Sequence, residues 1–76
     1  MTIVYETYKD ENGVQADIMQ DKYCSCFRLD VYVPSDNGPA TTLYRYDLYQ
    51  SIANARRAMR RLLSAPKCIY NRKKGE

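Results

Sequence analysis

The sequence predicts an α+β fold, an antiparallel meander of three to four strands with one amphipathic α-helix packed on one face of the sheet (ββββα). Two observations lead to this prediction. Residues 3–46 contain four segments of strand character separated by turn residues, and one segment of helical periodicity follows them. A single helix covers only one face of a sheet, so we expect the other face to meet water or a partner.

The first two strands are predicted to form a hairpin. Residues 3–8 are rich in β-branched and aromatic side chains, and residues 14–19 return with apolar residues at alternate positions. Asn12-Gly13 stands between the two segments, and both residues tolerate a positive φ, which is typical of a hairpin turn.

The third strand, residues 23–33, has the clearest alternation in the chain. Pro34 should end it, residues 35–39 should form a loop, and residues 41–46 should form a shorter fourth strand. We expect the third strand to turn Phe27, Leu29, Val31 and Val33 inward, and Cys26, Arg28, Asp30 and Tyr32 outward.

The helix should begin at Asp47, a suitable N-cap residue that forms a capping-box pattern with Gln50. Ser64-Ala65-Pro66 should end it, so residues 1–67 form one domain and residues 68–76 a basic tail that is partly ordered at most. The predicted apolar stripe of the helix consists of Leu48, Ile52, Ala55, Met59 and Leu62.

The charge is divided between the two halves of the chain. Residues 1–40 carry three basic and seven acidic side chains, whereas residues 41–76 carry nine basic and two acidic ones. No glutamate stands among the helix arginines, although a solvated helix normally mixes its signs. A solvated face is the simpler interpretation; otherwise a partner or the acidic half of the chain must offset this charge. The residues predicted to bind a partner or nucleic acid are Arg56, Arg57, Arg60, Arg61, Lys67, Arg72, Lys73 and Lys74.

The uncovered sheet face is the second candidate surface. Tyrosines beside an arginine can stack nucleic-acid bases or anchor a protein interface, and ordinary cross-strand packing is a further explanation. Asp17 and Asp30 would repel phosphate there, which favours a protein contact. The residues predicted to contact a partner on this face are Arg28, Asp30, Tyr32, Tyr44 and Tyr46.

Most catalytic and metal-dependent chemistries are not expected. The sequence contains no histidine, and its three glycines are scattered, so the commonest general base and a glycine-rich phosphate loop are both missing. Cys24, Cys26 and Cys68 are too few for a structural zinc site with four thiolates. We therefore predict a protein that is not an enzyme and has neither a cofactor nor a metal. The alternative, a small enzyme or a metal-dependent switch, would need a site around these cysteines or the carboxylates.

The cellular location is predicted from the same residues. The chain begins with a strand-like pattern instead of a signal peptide, and it contains no apolar stretch long enough to span a membrane. We expect reduced thiols and a cytoplasmic location in the producing or host cell, without secretion or membrane association.

In size and layout, though not in any motif, the chain resembles the small single-domain accessory proteins that phages and mobile elements encode to bind host machinery. This resemblance implies a binding protein or an inhibitor. The predicted function is therefore non-catalytic docking on a partner protein through a surface of two charge signs. The alternative is a nucleic-acid-binding module that uses the arginine face of the helix and the basic tail. An exposed sheet edge would also allow a homodimer.

Overall fold

Six elements follow one another in the computed structural model, which describes residues 2–21, 25–35 and 41–72. The strands form one sheet in the order β4-β3-β2-β1-β5, and each neighbouring pair is antiparallel. One helix, α1, packs against this sheet. The elements are β1 (Thr2–Lys9), β2 (Gln15–Asp21), β3 (Phe27–Pro34), β4 (Thr41–Tyr49), α1 (Ile52–Leu62) and β5 (Lys67–Asn71).

The predicted α+β class is confirmed, but the sheet has five strands where three to four were expected. The additional strand is β5, which pairs with β1 and places Asn71 opposite Glu6 and Tyr70 opposite Thr7. β5 crosses the boundary predicted between residues 67 and 68, whereas Lys73 and Lys74 lie outside the described residues.

The hairpin between β1 and β2 is confirmed, although its turn is longer than an Asn-Gly pair. The Asp10 N–H donates to the Val14 carbonyl at 2.9 Å, and the Gly13 N–H donates to the Asp10 carbonyl at 3.2 Å. Gly13 has a φ of +83°, whereas Asn12 is not in the left-handed region. This pattern is that of a three-residue hairpin loop with glycine at the left-handed position.

The core lies between α1 and the centre of the sheet. Ala16 pairs with Val31 and Ile18 pairs with Leu29, so these cross-strand partners share one face, and all four are buried. The inward orientation predicted for Leu29 and Val31 is therefore confirmed. From the helix and its C-terminal end, the core receives Ala55, Met59 and Leu63.

The helix begins four residues later than predicted. Ser51 is its N-cap, and the Ser51 hydroxyl accepts a hydrogen bond from the Asn54 N–H at 3.1 Å. Asp47 lies in β4 instead, opposite Leu29 of β3. Continued pairing with β3 keeps the chain extended to Tyr49, which prevents a helical turn at Asp47.

Two members of the predicted apolar stripe are not in the core. Leu48 lies on β4 opposite Arg28 and is 64% exposed, and Leu62 is 37% exposed. Leu63, at the C-cap, is only 4% exposed and occupies the position expected for Leu62. The two differences arise at the ends of the helix, because Leu48 belongs to β4 and Leu63 follows the last helical residue in an extended conformation, whereas Ala55 and Met59 face the core as predicted.

Candidate binding surfaces

The exposed arginines of α1 form the first candidate surface. Arg57, Arg60 and Arg61 are exposed, and α1 contains no acidic residue. No carboxylate within the described part of the chain forms an ion pair with any of the three. We call these three residues the arginine ridge.

Arg56 is directed towards the sheet and is held by Glu6. Its Nε donates to Glu6 Oε1 at 2.8 Å, and its Nη2 donates to Glu6 Oε2. The Glu6 residue is 3% exposed and also accepts hydrogen bonds from the Tyr8 hydroxyl and the Asn71 amide. The hydrogen bonds from Arg56 lower the pKa of Glu6 below its ordinary value, although burial alone would raise it. The acidic half of the chain therefore offsets the charge of Arg56.

Two further predicted cationic residues that the structure describes, Lys67 and Arg72, lie away from α1 on or next to β5. Lys67 lies on β5 opposite Lys9, and the alternation of β1 places both on the sheet face away from α1. The Arg72 guanidinium lies 5.8 Å from the centre of the Tyr5 ring. Lys73 and Lys74 lie outside the described residues; of the six that the structure describes, three form a common exposed surface.

A shallow groove separates the arginine ridge from β4. Its walls include Arg61 and Leu62 of the helix region and Arg45 and Tyr49 of the strand. The Arg45 guanidinium forms an ion pair with Asp47 two positions along β4, with an Nη2–Oδ2 distance of 2.7 Å. The groove therefore combines the ring of Tyr49 with two guanidinium groups. That of Arg45 is paired with Asp47, and that of Arg61 forms no ion pair among the described residues.

The opposite face of the sheet has a buried carboxylate at its centre. Asp30 is only 2% exposed although α1 packs on the other face of the sheet, because neighbouring side chains enclose it. Arg28 Nε donates to Asp30 Oδ1 at 2.6 Å, and the Tyr32 hydroxyl donates to Asp30 Oδ2 at 3.5 Å. The hydrogen bond to Asp30 raises the pKa of Arg28, and burial together with the charge of Asp30 raises the pKa of Tyr32.

Exposed apolar side chains of β4 adjoin this carboxylate. Tyr46 and Leu48 are the cross-strand partners of Asp30 and Arg28, so they share the outer face with them. The Arg28 guanidinium stacks 4.5 Å from the centre of the Tyr46 ring. We define the β4 patch as the exposed large apolar residues of this strand, which are Leu43 (41% exposed), Tyr44 (64%), Tyr46 (58%) and Leu48 (64%).

The sequence reasoning identified the tyrosines of the β4 patch but missed its leucines. The helical stripe predicted from the sequence includes Leu48, and neither predicted surface includes Leu43. The signal that identifies Leu48 is the alternation of residues 46–49, in which Tyr46 and Leu48 alternate with Asp47 and Tyr49. This alternation extends the strand beyond residue 46.

The described cysteines are Cys26, directly before β3, and Cys68 on β5. Cys26 is half-buried, and the thiol of Cys68 on β5 donates to the Tyr70 carbonyl at 3.2 Å. Cys24 lies outside the described residues. Across residues 2–21, 25–35 and 41–72, no three cysteine or carboxylate side chains lie close enough together to hold a metal ion.

Comparison with known proteins identifies no family and no similar protein. No protein-family model, no curated protein and no solved structure matches this chain. The described part of the chain contains no helix with the length and apolar character needed to cross a bilayer.

Proposed function

We propose that this protein is a non-catalytic binding protein that docks on another protein through the β4 patch and the adjoining outer face of the sheet. The observation that carries the proposal is the exposure of Tyr44, Tyr46 and Leu48, each more than half exposed on one strand. Grouped apolar side chains bordered by polar residues are typical of a protein interface. Tyrosine and arginine are also the residues that most often dominate binding energy at such interfaces.

The arrangement of Arg28 supports this proposal. Asp30 and the ring of Tyr46 hold the Arg28 guanidinium from two sides, so its orientation is set before a partner binds. A preorganised side chain loses less conformational entropy on binding. Because Asp30 is buried and paired, its charge gives little reason to prefer a protein over a nucleic acid; the preference rests on the apolar character of the β4 patch.

We further propose that the docking occurs in the cytoplasm and that it inhibits the partner. The exposed, reduced thiol of Cys68 fits a reducing compartment. A small domain that occupies a partner's surface excludes other ligands from that surface, which makes inhibition the simplest activity for it.

Site-specific crosslinking tests the proposed docking. A photoreactive phenylalanine derivative at Tyr44 or at Leu48, in cells that produce the protein, should capture the same partner protein from both positions. The matched control is the same group at Ala53, which is exposed on α1 away from the β4 patch. Capture of the same proteins from Ala53 with equal yield would contradict the proposal.

The captured partner then permits a quantitative measurement. In calorimetric titrations of the purified partner, the double variant Tyr44→Ser/Leu48→Ser should bind at least about tenfold more weakly than the wild type, which corresponds to about 1.4 kcal/mol. Both side chains are mostly exposed, so the variant should keep the melting temperature of the parent. Unchanged affinity in a folded double variant would reject the β4 patch as the docking surface.

Nucleic-acid binding is the second candidate function, and the arginine ridge favours it. Three exposed guanidinium groups without carboxylate partners among the described residues can neutralise phosphates, and the nearby ring of Tyr49 could stack a base. Fluorescence anisotropy with labelled DNA and RNA oligomers tests this function. Binding should weaken with salt, with a logarithmic slope of about −2 to −3 for three phosphate contacts.

The control variants separate the two functions. Arg57→Glu/Arg60→Glu/Arg61→Glu should remain folded, because its three side chains are exposed, and it should lose nucleic-acid binding. Tyr44→Ser/Leu48→Ser should retain that binding. No binding by the wild type at low salt would reject the second function and leave protein docking as the proposal.

A further inference from the structure

We infer that two copies of this chain associate through the outer edges of their β4 strands, with Tyr46 of one copy opposite Tyr46 of the second copy. The five strands of each copy would then form one continuous antiparallel sheet of ten strands. This inference goes beyond the proposed function and does not rest on it, because the two β4 edges can pair whether or not the outer face of the sheet binds another protein.

The first argument is the position and length of β4. This strand has nine residues and stands at the end of the sheet, paired with β3 on one side. No strand among the described residues lies against its other side. A long edge strand with exposed apolar side chains is a template for pairing with another chain. The opposite edge, β5, has only five residues and a register shift against β1.

The second argument is that one pairing register between two copies of β4 places opposite charges across from each other. A two-fold axis perpendicular to the sheet leaves each face of the sheet on the same side of the dimer. Because directly opposed residues of an antiparallel pair point to the same face, the axis must pass between two copies of the same residue. An axis at Arg45 would oppose two arginines, and an axis at Asp47 would oppose two aspartates. An axis at Tyr46 instead places Arg45 of each copy opposite Asp47 of the second copy.

The ion pair already present on β4 leaves these charges accessible to a second copy. The Arg45 and Asp47 side chains are 46% and 37% exposed, and both lie on the helix-facing side of the strand, opposite Val31 and Leu29. In the dimer the four charges would alternate in sign across the two strands. Exposed ion pairs contribute only about 0–1 kcal/mol each, so they select the register and do not drive association.

Association itself would come from the backbone and the apolar side chains. Pairing the edges satisfies backbone groups of both strands, and it brings Tyr46 against its own copy on the outer face. The register shift at Tyr44, which this axis places opposite Leu48, limits regular pairing to residues 45–47 of each copy. Because the contact is confined to one strand edge, we expect a dissociation constant on the order of micromolar.

Charge exchange tests the inferred register. Sedimentation velocity of the wild type from about 1 μM to about 1 mM should reveal a reversible dimer. Arg45→Asp alone and Asp47→Arg alone should each dimerise at least about tenfold more weakly than the wild type, because like charges would then meet across the two-fold axis. An equimolar mixture of these two variants should restore a one-to-one dimer. Arg57→Asp, which makes the same charge change on the exposed side of α1, should dimerise like the wild type.

Disulfide crosslinking provides a second measurement that does not depend on charge. In a background with Cys24, Cys26 and Cys68 replaced by serine, Tyr46→Cys should form a covalent dimer on mild oxidation, because opposed Cα atoms lie about 4.5–5.5 Å apart. Leu48→Cys in the same background should not, since the two copies of that position would be far apart.

Three results would overturn the inference. A wild type that remains monomeric throughout the concentration range would reject the dimer. Single charge variants that both dimerise as strongly as the wild type would reject the Arg45–Asp47 register. Covalent dimers from Leu48→Cys and none from Tyr46→Cys would place the axis elsewhere on β4. Circular dichroism on each variant establishes that the compared proteins are folded.

Discussion

Arg56 of α1 and Glu6 of β1 form a two-point ion pair on the helix-facing side of the sheet. The pair joins residues 50 positions apart, and the Asn71 amide of β5 donates to the same carboxylate at 3.2 Å. One buried carboxylate therefore connects the first strand, the helix and the last strand. This contact explains why one helix arginine faces inward while the arginine ridge remains exposed.

The two partners of this pair should differ in their importance for stability. Arg56→Met leaves the buried Glu6 carboxylate without its charged donor and should lower the free energy of unfolding by about 2–4 kcal/mol. Glu6→Met should cost less, about 1–2 kcal/mol, because the Arg56 side chain is 35% exposed and can reach water. The double variant should resemble Glu6→Met alone. Urea unfolding of the four proteins measures these differences, and an Arg56→Met variant as stable as the wild type would contradict the structural role.

Stability should fall at acid pH because of the same carboxylate. The pKa of Glu6 is lower in the folded protein than in the unfolded chain, so the unfolded state binds protons more readily. The resulting stabilisation is fully present above about pH 4–5, the ordinary range of a glutamate, and is lost as the pH falls through the lowered pKa. Unfolding free energies measured between pH 7 and pH 3 should therefore vary less in Glu6→Gln than in the wild type.

A second carboxylate contributes with the same sign. Burial alone would raise the pKa of Asp10, but backbone N–H groups, including those of Ser64 and Val14, lower it overall. Glu6→Gln should therefore reduce the acid dependence without abolishing it. Asp17→Asn on the outer face is the control, and an equal reduction in this variant would argue against the assignment to Glu6.

The corrected C-terminal end of the helix predicts opposite outcomes for two adjacent leucines. Leu63→Ala should lower the free energy of unfolding by about 2–4 kcal/mol, because it opens a cavity in the core. Leu62→Ala should cost less than about 1 kcal/mol, since its side chain is partly exposed. Thermal or chemical unfolding distinguishes the two variants. A larger loss of unfolding free energy for Leu62→Ala would instead support the apolar stripe predicted from the sequence, which includes Leu62.

The hairpin loop requires glycine at one of its two predicted turn positions. Gly13→Ala should cost at least about 1 kcal/mol, because its φ is +83° and an added Cβ would lie 3.2 Å from Pro34 Cγ. Asn12→Ala should cost little, since Asn12 is exposed and not in the left-handed region. Equal losses of stability in the two variants would be inconsistent with this loop geometry.

The sequence predicted the parts of the fold that depend on local periodicity. The alternation of β3 identified Leu29 and Val31 as core residues, because successive side chains of a strand point to opposite faces. It also predicted an outer position for Asp30, but not its burial. That burial depends on Arg28 and Tyr46, whose contacts arise only when β3 and β4 pair.

The candidate surfaces were predictable to a similar extent. Arg57, Arg60 and Arg61 were correctly placed together, because their helical spacing is a local property. The inward direction of Arg56 was not predictable, since it depends on a carboxylate far along the chain. The assignment of Leu48 was also not decided locally, because Leu48 fits both the first turn of a helix and the end of a strand.

By itself, the sequence determined the α+β class, the first hairpin, the inner face of β3 and the excess of arginine on the helix, all of which follow from patterns among residues close together in the chain. The tertiary structure alone decided that Lys67–Asn71 is a fifth strand, that Ser51 starts the helix, and that Glu6 neutralises Arg56. The physical reason is that backbone pairing and ion pairing join residues distant in the chain, and these contacts outweigh weak local preferences.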